Sequence, residues 1–236
     1  MDFIYKGTAV SGGIGKGKVK VIDCSCPDFE IRRIDDSDKE LGRFVRALKS
    51  FCDKTRDQIR SVHDTIGQHE AEIMSSHIKM THDLALQSEL ISKISKGMCA
   101  EQATCEICDM YIERFLSADV EFVRQLSVDV KDVKIGVLNL LLERADADVE
   151  SFDEDTVVVT DELIPSVVAR LDRHHTKAVV TSVGSPDSHV AILLRAMGIP
   201  TVTNIEDIHL LLKNGETVIV DGAKGEVLRE KHNQCI

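Results

Sequence analysis

The chain has 236 residues, 43% of them hydrophobic and 29% charged, and a formal net charge of −11. That length allows one large domain or two small ones, each with its own core, and the composition argues against wholesale disorder. The acidic balance speaks against nucleic acid and anionic membrane surfaces as partners, because phosphates are repelled, and favours a basic protein partner.

No apolar run approaches the roughly 20 residues needed to cross a bilayer. The start, Met-Asp-Phe-Ile-Tyr-Lys, lacks the basic and then apolar pattern of a secretory signal, so a cytoplasmic chain without membrane contact is expected. The seven cysteines (24, 26, 52, 99, 105, 108 and 235) are odd in number and irregularly spaced. Reduced thiols are therefore expected rather than a disulfide framework. Cys105 and Cys108 form a CxxC, but it lies in a helical pattern with no second pair at zinc-site spacing.

The run "FIYKGTAVSGGIGKGKVKVI" (3–22) reads as strand, glycine turn, strand, ending in the alternation of Val19 and Val21. Between Asp35 and Arg144 there is no proline, and the glycines are Gly42, Gly67, Gly97 and Gly136, which predicts long helices. Two seams step alternately by four and three: Ile73, His77, Met80, Leu84, Gln87, Ile91, Ile94, and Leu126, Val130, Val133, Val137, Leu140. This heptad-like spacing suits helices packed nearly parallel or antiparallel. Breaks near Gly67, Gly97 and Ala118 predict four helices, hence a bundle or two hairpins. Taken alone, His77 and Met80 read as core residues of such a seam.

After the acidic stretch "ADADVESFDEDT" the pattern shortens. Strands are expected at 156–160, 177–182, 199–202 and 216–228, alternating with helices near 165–172, 186–198 and 205–213. "DGAKG" reads as a hairpin turn. The expected fold is thus an α/β domain with an inserted all-α helical bundle, the first β-elements rejoining the sheet because an isolated hairpin is only marginally stable.

Within "SVGSPDSHVAILLRAMGIPTV" (182–202), Ser185 is a plausible N-cap, Pro186 suits the first helical position, and Gly198 and Pro200 mark the end. This makes His189 the fourth helical residue, at the positive end of the helix macrodipole and near unpaired N–H groups that welcome an anion. Such a histidine suits a nucleophile whose transferred phosphoryl group is held by backbone amides and Arg195. It also suits a plain surface histidine, and these residues alone leave both open. Asp187, Ser188 and His189 cannot form a hydrolytic triad, since consecutive residues cannot adopt that geometry.

The order Gly184, Ser188, His189, Ile192, Arg195, Ile199, Pro200, Val202 resembles the phosphohistidine signature G-G-x-T-S-H-x-x-I-x-A-R-x-x-x-I-P-x-V of phosphoenolpyruvate-utilising enzymes. "GTAVSGGIGKGKV", "DELIPS", "EIMSSHIKMTHD" and "VDVKDVKIGVL" resemble further segments of enzyme I of the phosphoenolpyruvate:sugar phosphotransferase system, in order from about residue 4 to 228. The resemblance implies a discontinuous swivelling phosphohistidine domain (1–25 and 146–230), a helical domain docking the carrier HPr (30–145), and the start of a linker or tail (231–236). By the same resemblance, His189 is the phosphorylated residue, helped by Arg195 and Ser188. Gly184, Ser185 and Asp187 form the phosphate loop, and Met80, Asp83 and Leu86 meet HPr.

Such enzymes carry their phosphoenolpyruvate site in a C-terminal barrel. The resemblance therefore implies an N-terminal half that exchanges phosphate with HPr but does not draw it from phosphoenolpyruvate alone. It implies no cofactor or metal in this segment, with Mg2+ serving only the phosphoenolpyruvate step in that C-terminal domain, which would be the chain's other partner. Without the barrel a monomer is expected. The near alternatives are a nitrogen-branch enzyme I and a dikinase of the same superfamily, the second lacking such a helical insertion. The distant one is a degenerate module that binds a carrier without phosphotransfer. Three departures bear on that choice: Ser185 replaces the second Gly of the signature, Asp187 its Thr, and Ile164 the Thr of D-D-L-T-P-S, whose hydroxyl can orient the imidazole in the family.

Overall fold

The computed structural model describes residues 3–147 and 149–230; the expected linker or tail at 231–236 lies outside the described residues. In chain order the elements begin with β1 (Phe3–Lys6), β2 (Thr8–Ser11) and β3 (Ile14–Val21). Five helices follow: α1 (Ser37–Thr65), α2 (Gln68–Thr81), α3 (Leu84–Ser95), α4 (Ala100–Leu116) and α5 (Glu121–Leu141). The remainder is β4 (Thr156–Glu162), α6 (Pro165–Val168), β5 (Thr176–Val183), α7 (His189–Ala196), β6 (Thr201–Thr203), α8 (Ile208–Leu211), β7 (Thr217–Asp221) and β8 (Glu226–Arg229). The chain divides into two compact units, one from Met1–Ser25 with Ala147–Ile236, the other Cys26–Asp146.

The first unit is built on one eight-stranded sheet in the order β1-β8-β7-β3-β4-β5-β6-β2. Strands β3, β4, β5 and β6 run parallel, with antiparallel pairings toward both edges. A parallel central strand covered on both faces needs a continuous apolar run, and Thr156–Thr160 of β4 is buried throughout. Val157 and Val159 join Val19, Val180, Val202 and Val220 in the core on one face. Val158, with its side chain on the opposite face, is just as buried. Each such valine contributes roughly 1.5–3 kcal/mol.

The expected β-elements of residues 3–22 rejoin the sheet, but as three strands rather than a hairpin. None pairs with another of the three. Strands β1 and β2 sit at opposite edges although only Gly7 separates them, so the sheet curls until its edges meet at one corner. There Gly7 N donates to Gly225 O at 2.9 Å, and a Cβ on Gly7 would run into Thr203 O. In β3, a Cβ on Gly17 would come 2.5 Å from Asp155 O, so the backbones there approach as only glycine allows. The expected "DGAKG" hairpin joins β7 to β8, Asp221 Oδ1 accepting from Lys224 N at 3.0 Å.

The second unit has five helices, where the sequence predicts four. The extra break lies at His82–Asp83, between α2 and α3. Asp83 takes extended backbone angles and its carboxylate accepts from Leu86 N at 2.8 Å, starting a new helix. The seam from Ile73 to Ile94 is accordingly not one stripe: Leu84 is 81% exposed and Ile91 40%, whereas Met74, Leu90 and Ile94 are buried. The second seam holds on α5, where Val130, Val133 and Val137 are buried.

Phe44 and Phe51 of α1, Leu86, Leu90 and Ile94 of α3, Ile107 of α4, and Val133, Val137 and Leu138 of α5 form this unit's core. Buried charges pin its helices. Helix α4 has no side-chain bond from its own N-cap, Cys99; instead Glu40 of α1 accepts from Ala100 N at 2.8 Å. Arg43 bridges Glu40 at 3.0 Å and Glu101 at 2.5 Å, both carboxylates being almost fully buried. Hydrogen bonding to Arg32 and Ala100 N holds the Glu40 carboxyl below its ordinary range despite burial.

Candidate active site

Strand β5 delivers the chain to Gly184, whose N–H donates to Asn204 Oδ1 at 3.2 Å. A Cβ at Gly184 would strike Thr203 Oγ1, so glycine is required where the loop crosses β6. Asn204, at φ 60°, also donates through Nδ2 to Thr8 Oγ1 at 3.2 Å, tying the loop to β2.

The expected helix start at Ser185 is corrected by the structure. Ser185 O accepts from Ser188 N at 3.2 Å and from Ser188 Oγ at 2.8 Å, closing a turn over 185–188 with Pro186 in a position that suits its fixed φ. Asp187 N donates back to Ser185 Oγ at 3.3 Å. Ser188 is therefore the N-cap, its hydroxyl accepting from Ala191 N at 3.2 Å. His189 becomes the first helical residue, not the fourth, with its half-buried imidazole at the end where the helix dipole is positive.

Arg195, six residues on, lies off the face of His189. It folds back instead, donating through Nε to Val10 O at 2.9 Å and through Nη2 to Pro186 O. Arg195 thus clamps the loop against β2. Gly184, Ser185, Asp187, Ser188, His189 and the Arg195 head are gathered in one short loop and helix start, with Asp187 exposed. The supports from Val10, Thr203 and Asn204 leave no motif in the sequence around the loop. Only the left-handed backbone of Asn204, a residue type that tolerates it, leaves any local signal.

Ile164 is the N-cap of α6, 2% exposed, and offers no side-chain hydrogen bond. The position that in the resembling family can orient the imidazole is here part of the apolar core.

The three residues expected to meet a partner do not share a helix. Met80 lies half-buried on α2, and Asp83 is the exposed cap of α3. Leu86 is 7% exposed and belongs to the helical core, so its side chain faces away from solvent. His77 is fully buried, as a seam residue should be, but among acids: Nε2 lies 3.4 Å from Asp129 and 3.7 Å from Asp132. Burial alone would lower its pKa; the two carboxylates outweigh burial and raise it.

Residues 6–125 match the family described as "PEP-utilising enzyme, N-terminal", and residues 152–225 that described as "PEP-utilising enzyme, mobile domain". The chain is similar to the phosphoenolpyruvate-protein phosphotransferases of Mycoplasma capricolum subsp. capricolum, 30% identical over 224 residues, and Listeria monocytogenes serovar 1/2a, 32% over 225. Each match covers 94% of this chain and 39% of the relative, so the chain spans about two fifths of the length of these curated relatives. Among solved structures it is similar to the solution structure of Enzyme I (nEIt), with a TM-score of 0.76, 24% identity, and 98% and 94% of the two chains covered. An N-terminal domain of Enzyme 1 - Nitrogen gives 0.64, 23%, 97% and 94%. At these identities the structures bear on the fold alone.

Proposed function

Since this chain belongs to the family of PEP-utilising enzymes, we propose that His189 is transiently phosphorylated and exchanges its phosphoryl group with a histidine of an HPr-like carrier protein. The observation that carries the reading is the seating of His189 at the first position of α7, behind a loop pinned by Ser188, Asn204 and Arg195. An imidazole nitrogen of His189 attacks the phosphorus of the carrier's phosphohistidine in line. The new N–P bond forms as the carrier's N–P bond breaks, and the carrier's imidazole leaves with that electron pair.

Charge on the phosphoryl oxygens falls beside the helix start, where backbone dipoles stabilise it without rearrangement. Arg195 acts first as a clamp on the loop, since two of its donors serve Pro186 O and Val10 O. Phosphoenolpyruvate is the ultimate donor through a C-terminal domain, the only step to which this reading assigns Mg2+. The exchange takes place in the cytoplasm, and this segment acts as a monomer. Met80 of α2, with Asp83 and the exposed Leu84 at the start of α3, are the residues offered to the carrier.

The test is to incubate the chain with HPr, full-length enzyme I and phosphoenolpyruvate and to follow intact mass. An acid-labile gain of one phosphoryl group, absent in His189→Ala, is expected. Carrier binding without that gain supports the second reading, a carrier-binding module without phosphotransfer. The burial of Ile164 where a hydroxyl would orient the imidazole favours that second reading.

A further inference from the structure

Strands β4 and β5 run parallel, with Thr160 opposite Thr181 and Glu162 opposite Val183. Asp161 and Ser182 are therefore neighbours at the carboxyl ends of the two strands, on the face where Val159 and Val180 are buried. Ile208 of α8 packs into that same core, and His209 follows it. Three chemically active side chains meet there: Ser182 Oγ lies 2.8 Å from His209 Nδ1, and Asp161 Oδ1 lies 3.7 Å from the same nitrogen. Ser182 is 8% exposed, whereas the side chains of His209 and Asp161 are 24% and 61% exposed.

Serine, histidine and aspartate together suggest a hydrolytic triad, but a triad holds its serine and its aspartate on opposite ring nitrogens. Here both address Nδ1, so they compete for it and no proton passes through the ring. Asp161 stands beyond hydrogen-bonding distance, and Ser182 is the group that fixes the imidazole. The bond exists in either tautomer, since the hydroxyl donates to a bare Nδ1 or accepts from Nδ1–H. A nearly buried hydroxyl deprived of its partner is costly, which makes this tie to α8 a firm one. One residue earlier, on the other face, Thr181 Oγ1 lies 2.7 Å from Thr203 Oγ1 of β6. The end of β5 is thus fastened on both faces, two residues before Gly184 opens the loop that leads to His189.

We propose, resting on the reading of His189 as the phosphoryl acceptor, that Ser182 and His209 are positioning residues for that transfer. Their hydrogen bond fixes the direction in which the chain leaves β5, and with it the seat of the loop. In-line attack requires the imidazole nitrogen, the phosphorus and the leaving nitrogen to keep one line, and a misplacement of about 1 Å can cost on the order of a hundredfold in rate. Asn204 and Arg195 hold the loop at Gly184 and Pro186. Ser182 holds the strand from which it springs. With Ile164 supplying no hydroxyl to orient the ring, the seat of the loop takes on more of that task.

The experiment mixes the full chain with purified phosphorylated HPr, stops the reaction by rapid quench and follows phosphorylation by intact mass, with calorimetry of binding to unphosphorylated HPr alongside. Ser182→Ala and His209→Leu should each slow transfer at saturating carrier about tenfold, while carrier affinity keeps its wild-type value. Combining the two should slow it no further, because both remove one bond. Ser182→Thr, which keeps a hydroxyl, and His209→Asn, whose amide stands where Nδ1 stood, should restore most of the rate. His209→Gln, whose amide reaches past that position, should not, and this contrast holds even where the deletion variants lose the fold. Wild-type rates in the deletion variants, losses that multiply in the double variant, equal rates for His209→Asn and His209→Gln, or a loss confined to affinity would overturn the positioning role and leave His189 as the acceptor. A wild-type chain that gains no phosphoryl group would overturn both.

Discussion

The two units solve the burial of polar groups in opposite ways. In the sheet unit the buried polar side chains among the described residues are hydroxyls alone: Ser11, Thr156, Thr160, Thr176, Thr181, Ser182, Thr201 and Thr203. The helical unit buries Glu40, Glu101, Asp129, Asp132, Lys134 and His77. A sheet pairs its backbone laterally and specifies register through alternation, so valines suffice for its interior. Five helices can slide and rotate against one another, and a buried charge accepts few partners. Here Glu40 fixes α4 on α1, and Asp129 with Asp132 fix α5 on α2. The lesson is a division of labour. Among the described residues the interior of the sheet unit holds no charged side chain, whereas the electrostatics of the helical unit lie inside.

The sharpest break between scaffold and chemistry is His189→Ala. It should remove all acid-labile phosphorylation while leaving both unfolding transitions within about 0.5 kcal/mol, since a half-buried loop-end residue carries little packing. Loss of the sheet transition, seen by circular dichroism, would show that His189 is part of the scaffold.

Next in size is Arg43→Ala. Deleting the shared partner of Glu40 and Glu101 leaves two buried carboxylates poorly compensated and should cost about 3 kcal/mol. The loss should fall on the helical unit alone; calorimetry that shows both units weakened would end the contrast. Val158→Ala is its counterpart, costing about 2 kcal/mol in the sheet unit through lost burial and a cavity. That loss should not depend on pH.

His77 gives the helical unit a pH dependence of its own. Folding raises its pKa above the ordinary 6.5, so the fold binds a proton that the unfolded chain releases sooner. The stabilisation is whole below 6.5 and is lost as pH rises through the higher folded value. Chemical denaturation across this window should show the helical unit weakening with rising pH, and His77→Gln should flatten that slope. A slope unchanged in the variant would move its origin elsewhere.

The smallest effect belongs to the loop. Asp187 stands two residues from His189, the proposed phosphoryl acceptor, where one charge at about 5–6 Å would oppose a phosphate by roughly 1 kcal/mol in water-like surroundings. Asp187→Thr should therefore raise the phosphorylated fraction at equilibrium with phospho-HPr about fivefold. An unchanged or smaller fraction would mean that the aspartate does not act on the phosphate.

The sequence by itself determined what is carried by short-range pattern. The Val-rich run of β4, the turn of "DGAKG" and the order of motifs around His189 all depend on neighbours a few residues apart. It misjudged where two competing caps lay close together. Ser185 and Ser188 can both begin a helix, and the turn closed by Ser185 O, with Arg195 holding Pro186 O, decides for Ser188. Likewise Asp83 wins a helix start inside a stripe that periodicity reads as continuous, which buries Leu86 and exposes Leu84. Only the tertiary structure brought Arg195 to Val10, and Asn204 to Thr8 and Gly184. These pairings join residues whose separation along the chain carries no periodic signal. They are fixed by how sheet edges and helix faces pack, and packing is a property of the whole core rather than of any segment.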